Sequence, residues 1–303
     1  MGRFFLKLSF FLLVLGIPYL YFQYPMMAKN DAFYWKSTYP ANTLIIGGSR
    51  AFKGISPAVL QEDLLLEGRV LNLAFTGVLS PYGKPYFNLI KRKIDRSGAL
   101  PYCFILSVNP GNVMDFTAAN VPRESTFDFY HLWMVNTQPN LEYVFRHPRT
   151  GQALLTAMVI EKSRTRPGRA IYQDGYAATF FPPGFTPPDR TNRKNLLKFD
   201  LRYSPEREAY LVKTVNYLSQ LGPVYLVRLP VSSQMLAEED KVYPEFNTMV
   251  EAVANQYPNT FFFDFTADVE SAGYVFSDGH HHLEGKSAIR ITHEIAERIK
   301  SAK

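Results

Sequence analysis

The 303-residue chain holds one cysteine, Cys103, so no disulfide can close within it. Cys103 lies in an apolar run, Cys103 to Leu106, where it reads as a small buried hydrophobe and not as a reactive thiol. Neither Cys-x-x-Cys nor His-Glu-x-x-His, the spacings that gather ligands around zinc, occurs. Internal repeats and low-complexity tracts are also lacking. A composition of 47% hydrophobic and 20% charged residues excludes a disordered chain and supplies one large core, or a core with a sizeable insertion.

The most informative lack is of charge. Leu8 to Ala28, 21 residues, contains no Asp, Glu, Lys, Arg or His and follows Arg3 and Lys7. A helix needs roughly 20 apolar residues to cross a bilayer. The flanking positive charge predicts a cytoplasmic N-terminus and an exported remainder. Tyr19, Tyr21, Phe22 and Tyr24 crowd the far end as an interfacial aromatic belt would. Residues 1–28 are therefore read as a membrane anchor or signal segment and 29–303 as one exported domain. Cleavage after Ala28 is the rival reading, although Met26 fits a small-x-small site poorly, and a buried soluble helix is the third.

The net charge of +6 is concentrated in one stretch: Arg146 to Arg202 carries eleven Lys and Arg against four Asp and Glu. Prolines at 167, 182, 183, 187 and 188 break regular structure there. The stretch reads as a basic, aromatic, loop-rich insertion at about 115–203. It is either a solvated excursion or a cradle for an anionic glycan or lipid headgroup, with Arg164, Arg166 and Arg169 as candidate contacts. Nucleic acid is not expected as a partner, because no nucleic-acid motif accompanies the charge and an exported domain rarely meets it.

Elsewhere, short apolar runs alternate with helical spacing. Strands are expected at Thr43 to Ile46, Val70 to Phe75, Phe104 to Val108, Val224 to Leu229 and Phe261 to Phe265. Helices are expected from Pro57, over Pro85 to Ile94, Pro205 to Leu221, Glu238 to Gln256 and Glu284 to Ile299. The alternation predicts an α/β fold, a three-layer α/β/α sandwich of about five parallel strands with the insertion between strands three and four.

In such sheets ligand sites gather beyond the carboxyl ends of the strands. Gly47-Gly48-Ser49-Arg50, Thr76-Gly77 and Asn109 fall there, as does the loop Asp278-Gly279-His280-His281-His282. A serine on a glycine turn before a helix has free backbone N–H groups beside its hydroxyl, the setting a nucleophile needs, although it could also simply cap the helix. An aspartate three residues before a histidine can hold the imidazole Nδ1–H and free Nε2 to take a proton from serine. Spacing favours His281 as the base, with His280 and His282 as alternatives. A metal site is the competing reading of the loop, disfavoured because adjacent histidines rarely converge on one ion.

Serine after the first strand and Asp-x-x-His before the last helix resemble the SGNH (GDSL-like) hydrolase superfamily, whose fold is flavodoxin-like. The resemblance spans roughly Leu44 to Ile299, without the insertion. It implies Ser49 as nucleophile, Asp278 and His281 completing a triad, and an oxyanion hole from Ser49, Gly77 and Asn109, with no metal and no cofactor. The chain departs from the superfamily in having Gly-Gly-Ser for Gly-Asp-Ser, and Ser107-Val108-Asn109-Pro110 at the third block. Gly-Gly-Ser-Arg with an N-terminal anchor resembles most the membrane-anchored branch, which includes accessory proteins of alginate O-acetylation and teichoic-acid D-alanylation. That branch implies an extracytoplasmic serine esterase or O-acyltransferase acting on an acylated glycan or anionic surface polymer beside a membrane-bound O-acyltransferase. A silent accessory or binding protein and a lipase-like enzyme are the other functions such a chain could serve. Arg50 is left between a substrate contact and a structural pair.

Overall fold

The computed structural model describes residues 2–116, 123–148, 168–184, 201–267 and 269–302. Most of the basic stretch, including Arg164 and Arg166, lies outside them. Five strands form one parallel sheet: β1 (Thr43–Ile46), β2 (Val70–Asn72), β3 (Cys103–Ser107), β8 (Val224–Arg228) and β9 (Thr260–Asp264). Their order is β2-β1-β3-β8-β9, so the chain winds outward from β1 in both directions. The connections reverse between β1 and β3, which opens a crevice at the carboxyl ends of those two strands.

Alternation along the strands builds two cores. Leu44, Ile46, Phe104, Leu106 and Leu226 face one side, packed by the helices Lys84–Lys93, Pro205–Ser219 and Phe246–Gln256. Ile45, Cys103, Ile105, Tyr225 and Val227 face the other, against Ser49–Gly54, Pro57–Asp63 and Gly285–Ser301. The last helix presents Ala288, Ile291, Ile295 and Ile299 at helical spacing, each fully buried. Burial of one such isoleucine contributes about 1.5–3 kcal/mol.

Some boundaries differ from the sequence reading. The expected helix Glu238 to Gln256 is two helices, Ser233–Val242 and Phe246–Gln256, because Pro244 denies the ladder a donor. β2 ends at Asn72, not Phe75. The Asn72 side chain turns to donate to the carbonyls of Ala51 and Ile55 at 2.9 and 3.0 Å, tying the helix that begins at Ser49 to the sheet edge. Helix Ala32–Thr38 had no expectation; it buries Tyr34, Trp35 and Lys36. Lys36 donates to the carbonyls of Asn72 and Gly175, and burial pushes its ammonium well below the usual lysine range.

The excursion between β3 and β8 begins and ends together: β4 (Met114–Phe116) pairs antiparallel with β7 (Leu201–Tyr203). Within it β5 (Gly168–Ile171) and β6 (Ala177–Phe180) form a hairpin. Near the N-terminus one helix, Gly2–Asn30, is long and apolar enough to be a membrane anchor or a signal sequence.

Candidate active site

The turn after β1 is built around two glycines. Gly47 has φ +142°, and a Cβ there would meet Ser107 Cβ at 2.9 Å. Its carbonyl accepts from Ser80 Oγ at 3.0 Å, and its N–H donates to Tyr86 Oη at 2.9 Å. A Cβ on Gly48 would come within 2.9 Å of Asn112 Nδ2 and 3.3 Å of Gly77 Cα. A side chain at this position would therefore crowd the Gly77 backbone and require the Asn112 amide to move. Ser49 does not cap: Gly48 is the cap residue, and Ser49 opens the helix with its hydroxyl directed elsewhere.

That direction is toward the loop before the last helix. Ser49 Oγ lies 2.8 Å from His282 Nε2, and His282 Nδ1 lies 2.8 Å from Asp278 Oδ2. The reading of His281 as the group facing Ser49 is thereby corrected. The reason lies in the backbone: Asp278 Oδ1 accepts from the N–H groups of His280, His281 and His282 at 3.1, 3.0 and 3.0 Å. That winds the loop into a turn on which the residue four positions on, not three, comes over the carboxylate. Gly279, at φ +85°, permits the turn, and Ser277 N–H closes it on the His282 carbonyl at 2.6 Å. His281 Nδ1 is 3.2 Å from Asp278 Oδ2 but is out of line for a hydrogen bond. Its ring packs on His282 at 4.1 Å and lines the cleft. His280 is buried, and its carbonyl accepts from Ser232 N–H at 2.7 Å.

The electrostatics follow from this geometry. Despite burial, the hydrogen bonds from the His282 ring and the His281 backbone N–H hold the Asp278 carboxyl well below the usual carboxylate range. Burial lowers His282, opposed by Asp278, so its imidazole is neutral with the proton on Nδ1 and Nε2 free to accept. His281 is pushed down to about 2, by burial first and then by the charge of His282 and Arg50. Both histidines therefore resist protonation in the fold, whereas the unfolded chain binds protons below about pH 6.5. Their stabilisation is complete above that pH and declines as pH falls, by at most about 1.4 kcal/mol per pH unit for His281. Asp278 adds a further loss only near and below pH 4. Thermal melting at pH 7, 6 and 5 should show a falling Tm, and His281→Gln should flatten the fall; an unchanged slope would refute this origin.

The cleft, about 260 Å³, is bordered by Gly48, Ser49, Thr76, Gly77, Asn109 and Asn112, with Val78, Phe116, Leu201 and Met235 as its apolar wall. The three loops expected at the strand ends thus meet in one place. Asn109 lies here, but its amide donates to Asn112 Oδ1. That leaves Asn112 Nδ2 turned toward Gly48 and Gly77, so Asn112, missed in the sequence, lines the cleft beside Asn109. Arg50 does both: it lines the cleft, and its Nη2 is 2.5 Å from Glu239 Oε1, with Glu239 also holding Arg228 at 3.1 Å. Arg169 lies over the Phe52 ring at 5.3 Å and does not line the cleft. Asp278, His281 and His282 offer metal-ligating atoms within 4.8 Å of one another.

The fold and site together are those of a serine–histidine–aspartate constellation set at the switch point of a doubly wound parallel sheet. No protein-family model matches the chain, and no curated protein matches it.

Proposed function

We propose that this protein is a membrane-tethered serine esterase or O-acyltransferase of the SGNH type, acting through an acyl-Ser49 intermediate on an acylated cell-surface glycan or polymer. The observation that carries the reading is the unbroken relay from Ser49 Oγ through His282 to Asp278. Ser49 Oγ attacks the acyl carbonyl while its proton passes to His282 Nε2, and Asp278 faces the imidazolium. The N–H groups of Ser49 and Gly77 and the Asn112 amide supply donors for the tetrahedral oxyanion. Collapse expels the alcohol, which takes the proton from His282. Water or a sugar hydroxyl then attacks acyl-Ser49 by the same steps in reverse, giving hydrolysis or transfer.

The flavodoxin-like strand order and a cleft at its switch point support the superfamily assignment. A cleft of about 260 Å³ suits a small acyl group. The apolar N-terminal helix, with Arg3 and Lys7 before its charge-free span, supports an extracytoplasmic domain held at the membrane, where a membrane-bound O-acyltransferase would be its partner. A fluorophosphonate probe should label wild-type protein at one residue, Ser49, and leave Ser49→Ala unlabelled. Absence of labelling in folded wild type would reduce the protein to a silent docking or glycan-holding accessory.

A further inference from the structure

The N-terminal helix does not project freely from the domain. Its second half is clamped: Met27 is fully buried, and Tyr19, Leu20, Tyr24 and Ala28 pack on the core. Trp35 Nε1 donates to the Ala28 carbonyl at 2.6 Å, and Gln138 Nε2 to Tyr24 Oη at 2.7 Å. The helix stands clear of the domain from its start to Pro18, with Phe4, Phe5 and Leu6 exposed beyond Lys7. At 1.5 Å per residue the apolar part, Phe4 to Pro18, reaches about 23 Å, against roughly 30 Å of hydrocarbon. If the helix spans a bilayer, the domain surface beside Tyr19 to Tyr24 must therefore sit at the level of the lipid.

That surface carries large exposed apolar side chains. Phe145 stacks on Tyr19 at 6.0 Å yet remains 62% exposed, and Leu141, one turn earlier, is 42% exposed. Trp133, 80% exposed, is tied to the same helix by its backbone N–H, which donates to Glu142 Oε1 at 2.6 Å. Trp133 also lines a groove of about 580 Å³ with Lys91, Arg92 and Arg96 against the single carboxylate of Asp95. Arg92 is fixed by donation to the carbonyls of Leu132 and Tyr130, each at 2.9 Å. Phe145 thus links the patch to the apolar helix, and Trp133, bonded through its backbone to the helix that carries Leu141 and Phe145, links the patch to the cationic groove. A tryptophan beside clustered lysine and arginine is the pairing that an anionic membrane interface favours.

Building on the reading of Gly2–Asn30 as a membrane anchor, we propose that Trp133, Leu141 and Phe145 lie in the interface of an anionic bilayer, with the groove of Lys91, Arg92 and Arg96 receiving a lipid phosphate. The domain is then seated on the membrane in one orientation.

Full-length protein reconstituted in mixed vesicles tests this. Brominated phosphatidylglycerol or phosphatidylcholine, at equal mole fraction, serves as quencher of Trp133, and Trp133→Phe supplies the background from Trp35. Trp133 emission should fall in both, as for an interfacial ring. Brominated phosphatidylglycerol should quench more strongly, and Lys91→Gln with Arg96→Gln, or raised salt, should remove that difference. Protein that floats with vesicles while Trp133 stays unquenched overturns the proposal and leaves the anchor standing. Equal quenching by both lipids overturns the groove. Failure to float overturns the anchor reading, and the proposal with it.

Discussion

Replacing Ser49 or His282 by alanine is expected to lower kcat for a small acetyl ester by about 10³- to 10⁶-fold, and the double variant to be little worse than either. On the proposed mechanism the hydroxyl and the imidazole act on the same proton: with Nε2 2.8 Å from Oγ, removing one leaves the other without a partner. What remains is the contribution of the oxyanion donors and of binding, which both variants keep. His281→Ala should cost about tenfold or less, since its ring touches the cleft but lies out of line for bonding Asp278. Additive losses would deny a shared mechanism. A loss in His281→Ala equal to that in His282→Ala would return the role of base to His281.

Asp278→Asn should lower kcat by about 10⁴-fold while the protein stays folded. The amide oxygen can still accept from the three backbone N–H groups that define the loop. An amide facing His282 with its nitrogen, however, can no longer accept from Nδ1, so the imidazole takes the other tautomer and presents N–H to Ser49. The stability cost is roughly 1–3 kcal/mol, because charge-assisted bonds become neutral ones. The two readouts are turnover at pH 7 and circular dichroism across a thermal melt. A fall under tenfold in well-folded protein would mean that Asp278 shapes the loop without orienting the base.

How much of this was readable beforehand depends on whether local chemistry or tertiary closure decides each feature. β1 and the turn after it were legible because Thr43 to Ile46 is a pure apolar run stopped by two glycines, and both glycines are demanded by close approach. The parallel α/β class followed from alternation that each strand displays locally. Choosing His281 failed because spacing ignores where a carboxylate's second oxygen goes; three N–H groups on Asp278 Oδ1 add one residue to the turn. Asn112 was passed over for a similar reason. Only the 3₁₀ turn Pro110–Asn112 brings its amide under Gly48. Helix Ala32–Thr38 escaped because its burial depends on partners more than a hundred residues away, such as Asn140, which donates to Tyr34 Oη at 2.9 Å. The charge surplus between Arg146 and Arg202 is a true property of the sequence. Of the three arginines singled out there, Arg169 alone lies among the described residues, stacked on Phe52.

The pairing of Met114–Phe116 with Leu201–Tyr203 has an evolutionary consequence. The chain leaves the sheet and re-enters it through one doorway, yet the excursion is itself fastened to the frame: Asn72 N–H donates to the Asp174 carbonyl at 2.7 Å, and Phe129, Tyr143 and Ala178 are buried in the two cores. Phe116 and Leu201, the two doorposts, are also part of the cleft wall. On the proposed function, changes at these two positions would retune what reaches Ser49 while the relay stays fixed, separating the inheritance of chemistry from that of substrate.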